Sequence, residues 1–177
     1  MHRPEPAPRA RAPSSERPPQ AGRAHVRRRP GDREPPPPRR ARRRAASDVI
    51  LQNLSADTRL ILMETIIGTA MADGSVAGIE QRRIDKLVRT LRLDPRERQQ
   101  VYATLRDGSI PPLPTAAELP DYEVRRHVFE QAAIMALVDG AVDRAEHRYL
   151  KALADALELS IGDAKQALRR ANQATGG

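Results

Sequence analysis

The chain is 177 residues long and carries 31 Lys and Arg against 23 Asp and Glu, a net charge of +8. It has no cysteine, which excludes disulfides, thiolate metal sites and thiol nucleophiles. No run of about 18 apolar residues is present to span a membrane, and the N-terminus lacks the apolar core of a secretory signal. The expectation is one cytoplasmic domain without a transmembrane segment, with peripheral attachment at the inner membrane left open.

The basic balance is uneven. Residues 1–46 hold 14 Arg against Glu5, Glu16, Asp32 and Glu34, a net +10, so residues 47–177 sum to −2. In the first stretch Val26 is the only large aliphatic after Met1, and Pro35, Pro36, Pro37 and Pro38 run together. Proline removes backbone donors and the arginines repel one another, so this stretch reads as a disordered Arg/Pro-rich tail.

From residue 47 the pattern turns helical, and residues 47–177 read as one domain. Asp48 opens a short helix ending near Leu54. Ser55 caps a second, with Leu60, Ile61, Met63, Ile67, Ala70 and Met71 on its inner face, stopped by Asp73-Gly74. A third runs from about Gly78 to Arg92, with Ile79, Ile84, Leu87, Val88 and Leu91 inward. Asp94-Pro95-Arg96-Glu97 combines a cap, a proline in the first turn and a glutamate that closes a capping box, opening a fourth helix that ends near Gly108. Residues 109–120, with four prolines, read as a linker. Asp121 caps a fifth helix running to Asp139-Gly140, Asp143 a sixth ending near Glu158, and Ser160 a seventh. No segment alternates as a strand would, so the expected fold is all-α with about seven helices.

The chain also repeats itself. Glu64 to Val76 aligns with Glu130 to Val142 at an offset of 66 residues, and the same offset pairs Ala70 with Ala136, Leu87 with Leu153, Leu91 with Leu157 and Leu93 with Leu159. The gapless register spans turns as well as helices. It predicts two pseudo-symmetric repeats, about 56–107 and 121–174, facing each other around one core.

Each repeat contains Asp-Gly-x-Val-x-x-x-Glu: Asp73 to Glu80 and Asp139 to Glu146. Glycine suits the left-handed position after a helix, and the glutamate sits where it can accept the N-cap backbone N–H. A carboxylate at a helix C-terminus opposes the dipole at a cost of ~0.3–1 kcal/mol. Asp73 and Asp139 therefore call for a reason. Either they accept turn N–H groups, or Asp73, Glu80, Asp139 and Glu146 form a hard-cation site for calcium, magnesium or manganese. An EF-hand is not expected: with Glu80 or Glu146 as the last ligand, the leading acidic positions fall on Thr69 and Met71, or on Met135 and Leu137.

Paired Ala-x-x-Asp-Gly-x-Val-x-x-x-Glu units, each followed by Leu-x-x-x-Leu-x-Leu, resemble the TerB tellurite-resistance family over about residues 50–175. The resemblance implies a bacterial, all-helical module of tellurite and stress resistance. It also implies metal binding at the acidic positions Asp73, Glu80, Asp139 and Glu146.

No catalytic constellation competes with this. His147 has no second histidine one turn away, and His127 stands alone, so both read as solvated. No hydroxyl has a His/Asp partner at recognisable spacing, no Gly-rich phosphate loop follows a strand, and four aromatics give no stacking platform. An enzyme is not expected. Arg27-Arg28-Arg29 and Arg39 to Arg44 could engage nucleic acid or an anionic membrane through the tail only; a solvated spacer, or translated sequence upstream of the start, is the alternative. Two functions stand side by side: a cation-binding stress module, or a helical module for an unknown protein partner in which the acidic turns are structural.

Overall fold

The computed structural model describes residues 50–51, 53–140 and 142–176. The Arg/Pro-rich stretch and Asp48 lie outside them. Among the described residues there are six helices and no strand. They are α1 (Ala56–Ala70), α2 (Gly78–Thr90), α3 (Pro95–Asp107), α4 (Tyr122–Ala136), α5 (Arg144–Ala156) and α6 (Ile161–Thr175). Of the expected short helix before Ser55, Ile50 and Leu51 are helical, and Leu51 and Leu54 are buried.

Helix starts follow local chemistry. Ser55 Oγ accepts Thr58 N–H, and Asp121 Oδ1 accepts those of Glu123 and Val124. Asp94 and Glu97 exchange hydrogen bonds as a complete capping box, with Pro95 in the first turn. Glycine closes α3, where Gly108 has φ of +71°.

The second half repeats the first in backbone as well as sequence. α1 and α4 coincide end to end at an offset of 66 residues, as do α2 and α5, and α6 starts 66 residues after α3. Gly74 and Gly140 have φ of +96° and +103°, and the only non-glycine residues with positive φ among those described, Arg92 and Glu158, also form a pair. Both close the same turn. Leu93 N–H reaches Val88 O, and Leu159 N–H reaches Ala154 O, so a left-handed residue sits between the two leucines of each Leu-x-Leu.

α1 and α4 lie at the centre against each other. α1 also packs on α2, α3 and α5, and α4 on α5 and α6. This position corrects the one-sided face expected for α1. Leu62 and Ile66 are fully buried although the sequence pattern passed over them, while Leu60 and Ile61 are half-buried. A helix with neighbours on every side buries its whole circumference. His127 is corrected for the same reason: it opens the run of α4 from His127 to Ala136 in which every residue but Glu130 is buried, and is 5% exposed. The proline-rich linker is no loose tether. Pro111, Pro114 and Leu119 are buried, Ala116 N–H donates to Ala156 O, and Glu118 accepts from Thr115 N–H.

The halves also clasp each other with unlike side chains at equivalent positions. Arg83 Nη2 donates to Gln131 Oε1 at 3.2 Å, while its counterpart Tyr149 donates from its hydroxyl to Thr65 O at 3.3 Å. Burial pushes the Tyr149 phenol up and the Arg83 guanidinium down from their ordinary values.

Candidate functional site: the acidic joint between the two halves

The inward stripe of α2 is Ile84, Leu87, Val88 and Leu91; continued back one turn from Ile84 it reaches Glu80, not Ile79. Glu80 is accordingly 8% exposed and Ile79, expected inward, is 38% exposed. The same geometry on α5 runs from Leu153 and Leu150 back to Glu146, which is 9% exposed. Each glutamate turns one oxygen to the chain. Glu80 Oε2 accepts Ala77 N–H at 2.7 Å and Glu146 Oε2 accepts Asp143 N–H at 2.8 Å. The other carboxyl oxygen of each accepts no hydrogen bond from a described residue. Asp143 Oδ1 returns the second bond of the box to Glu146 N–H; Ala77 has no side chain to do so.

Asp73 and Asp139 stand at the solvent edge of the two Asp-Gly turns, both exposed. Asp73 Oδ1 accepts Ser75 N–H at 2.9 Å, which satisfies a turn donor. The Val76 and Val142 side chains that follow are half-buried against the core.

The two turns act on each other. Burial raises the Glu80 carboxyl above its ordinary value, and Asp73 of its own half with Asp139 and Asp143 of the other raise it further. Burial and the charges of Asp143, Asp139 and Glu80 carry Glu146 up to about 7, against the pull of the Asp143 N–H. The side-chain charges that act most strongly on the two glutamates are acidic. The acidic side chains of the two equivalent turns therefore lie close enough to act on one another.

Sequence reasoning placed four of these residues and left out Asp143, reading it only as a cap. The offset of 66 could not find it, because its counterpart is Ala77. His147 lies on the exposed side of α5. The donor set is all oxygen and the local charge is negative, which suits a hard divalent cation. Among the described residues, no three His, Asp or Glu side chains are already gathered at metal-binding spacing.

Residues 14–171 match the family described as "Protein of unknown function (DUF533)". The chain belongs to the DUF533 family. The match starts within the Arg/Pro-rich stretch and ends in α6, so it takes in both halves of the bundle. DUF533 is related to TerB-like domains, which places the resemblance read from the motifs at the level of that wider group and not at TerB itself. No curated protein and no solved structure matches the chain.

The joint gives this DUF533 domain a definite pH response. Glu146 holds its proton in the fold to a higher pH than in the unfolded chain. The contribution of Glu146 to stability is therefore fully present below the unfolded value near 4.5 and is lost as pH rises through about 7. At ~1.4 kcal/mol per unit, damped by water at the joint, the loss is on the order of 1 kcal/mol. Glu146→Gln, which still caps, is expected to flatten the profile and raise Tm at pH 8. An unchanged profile in thermal melts from pH 5 to 8 would show that Glu146 is not the group responsible.

Proposed function

We propose that this protein is a non-enzymatic, TerB-like acidic helical module that takes a divalent cation at the joint between its halves and serves a metal or general stress response in the cytoplasm. What supports the reading is the pair of buried glutamates, Glu80 and Glu146, each with a carboxyl oxygen its cap leaves unused, and the acidic side chains of both Asp-Gly turns that raise them. Asp73, Glu80, Asp139 and Glu146 would hold the ion, with Asp143 beside them. Glu80 and Glu146 would offer the oxygens their caps leave unused, and the exposed aspartates would have to turn toward them. A bound cation would neutralise the mutual repulsion and release the proton held by Glu146. No helix among the described residues is long and apolar enough to cross a membrane.

A second reading rests on the capping bonds. Glu80, Asp143 and Glu146 all accept backbone N–H groups, and Asp73 accepts that of Ser75, so the acidic turns also work as pure structure. The module would then serve a protein partner, with the Arg-rich stretch as a tether to nucleic acid or an anionic membrane.

Calorimetric titration of the full chain with calcium, magnesium and manganese decides between them, alongside Asp73→Asn/Asp139→Asn. The cation reading expects saturable binding, a rise in Tm with added ion and proton release. All three should be lost in the double variant, with helicity retained by circular dichroism. No heat and no shift in Tm for any of the three ions would overturn it in favour of structural turns.

A further inference from the structure

Charge on the folded part is segregated, although it averages close to neutral. On α2, Arg82, Lys86 and Arg89 are all exposed and follow one another at i, i+4 and i+7, one stripe of the helix. Arg92 in the following turn, and Arg96 and Arg98 in the first turn of α3, are exposed too. None of the six is in an ion pair with a described residue. The nearby acids are occupied. Asp85 accepts from Gln81 and from the Tyr102 hydroxyl, Asp94 caps α3, and Glu97 is buried against Arg59. Tyr102, 37% exposed on α3, donates its hydroxyl to Asp85 of α2 at 3.0 Å, which ties the two helices together beside the stripe.

The second half supplies an internal comparison. At the six equivalent positions it has Arg148, Ala152, Asp155, Glu158, Gly162 and Ala164 on the same backbone. The fold therefore does not need these cations, and like charges one turn apart are mildly unfavourable in a helix.

We propose that the α2–α3 face of the first half binds the phosphodiester backbone of nucleic acid without reading its sequence. Five of the six cations are arginine, whose planar fork matches phosphate oxygens in pairs. Residues 1–46 add 14 more arginines of the same sign, which suits a long polyanion better than a short acidic peptide. A membrane surface is the weaker fit: its binding is strengthened by apolar side chains set among the basic ones, and of the exposed large apolar side chains two lie there, Ile79 one turn before Arg82 and Tyr102, each little more than a third exposed.

The test is fluorescence anisotropy of the full chain with a labelled oligonucleotide of about 30 nucleotides, single-stranded and duplex, across a salt series. Losing three phosphate contacts in Arg82→Gln/Lys86→Gln/Arg89→Gln should reduce the slope of log K against log salt by ~2–3. Affinity should fall at least about tenfold at low salt, equally for unrelated sequences, while Arg148→Gln on the matching face changes the slope by less than ~1. Arg96→Gln/Arg98→Gln gives an independent pair on α3 with a proportionate loss. Wild-type affinity and slope in both multiple variants would overturn the proposal, since binding would then reside in residues 1–46. It would equally be overturned if the substitutions released the chain from phosphatidylcholine vesicles with about 30% phosphatidylserine and left oligonucleotide binding unchanged.

Discussion

Glu97→Ala is expected to destabilise the fold by about 3 kcal/mol, read as a lower midpoint in urea with an unchanged slope. Glu97 is 5% exposed and serves three groups at once. Its Oε2 accepts Asp94 N–H at 2.6 Å, holding the start of α3, and its Oε1 accepts Arg59 Nη2 at 2.6 Å and Nε at 3.2 Å. Arg59 in turn donates from Nη1 to Leu54 O, so the carboxylate also fixes where the chain enters α1. Removing it leaves a half-buried guanidinium without its counter-charge and a helix without half of its capping box. Glu97→Gln, which keeps a side-chain oxygen for Asp94 N–H, should lose clearly less. Equal losses in the two variants would mean that the cap contributes nothing and that the ion pair carries the effect. The same position in the second half is Asp163, which works differently. It accepts from Ser160 Oγ and the Tyr122 hydroxyl and pairs with Arg126, and those bonds hold its carboxyl below the ordinary value.

Gly68→Ala is the second large effect, a loss of about 2 kcal/mol in a helix interior where alanine would ordinarily gain about 1. Gly68 lies on α1 under Tyr149 of α5. A Cβ there would sit 2.9 Å from Tyr149 Cζ and closer still to its hydroxyl. The ring would have to move, giving up its bond to Thr65 O and its packing against the central helix. Here glycine is required for space and not for backbone freedom. In a Tyr149→Ala background the obstacle is gone, and the same substitution should become neutral or stabilising. A cycle of four melts that returned equal effects of Gly68→Ala in the two backgrounds would disprove the contact.

Much of this architecture is written in short-range chemistry that a sequence displays directly. Ser55, Asp94, Asp121, Asp143 and Ser160 each head the helix they were expected to cap, because a side-chain acceptor beside free N–H groups needs no tertiary partner. Gly74 and Gly140 stand out for an equally local reason, a positive φ. What escaped depends on neighbours. Leu62 and Ile66 are buried because α1 is surrounded, which a single-face pattern cannot express, and His127 is buried by the equivalent crowding on α4. The acidic joint falls between these cases. Asp73, Glu80, Asp139 and Glu146 were visible as a repeated motif, and the stripe through Ile84 or Leu150 already points back to each glutamate. That Asp143 raises Glu80 as well as Glu146 follows only from the way the two halves face each other.

That facing arrangement has a consequence for how the molecule comes apart. α1 and α4 are each other's central neighbours, and each also leans on elements of its own half. Neither half keeps a finished interior once the other is taken away: α1 would lay bare the side against α4 and α5, and α4 the side against α1. Although the chain reads as two copies of one motif joined by a proline-rich strap, its unit of cooperativity is the pair. Melting should proceed in a single step, each copy of the motif being stable only as half of a closed couple.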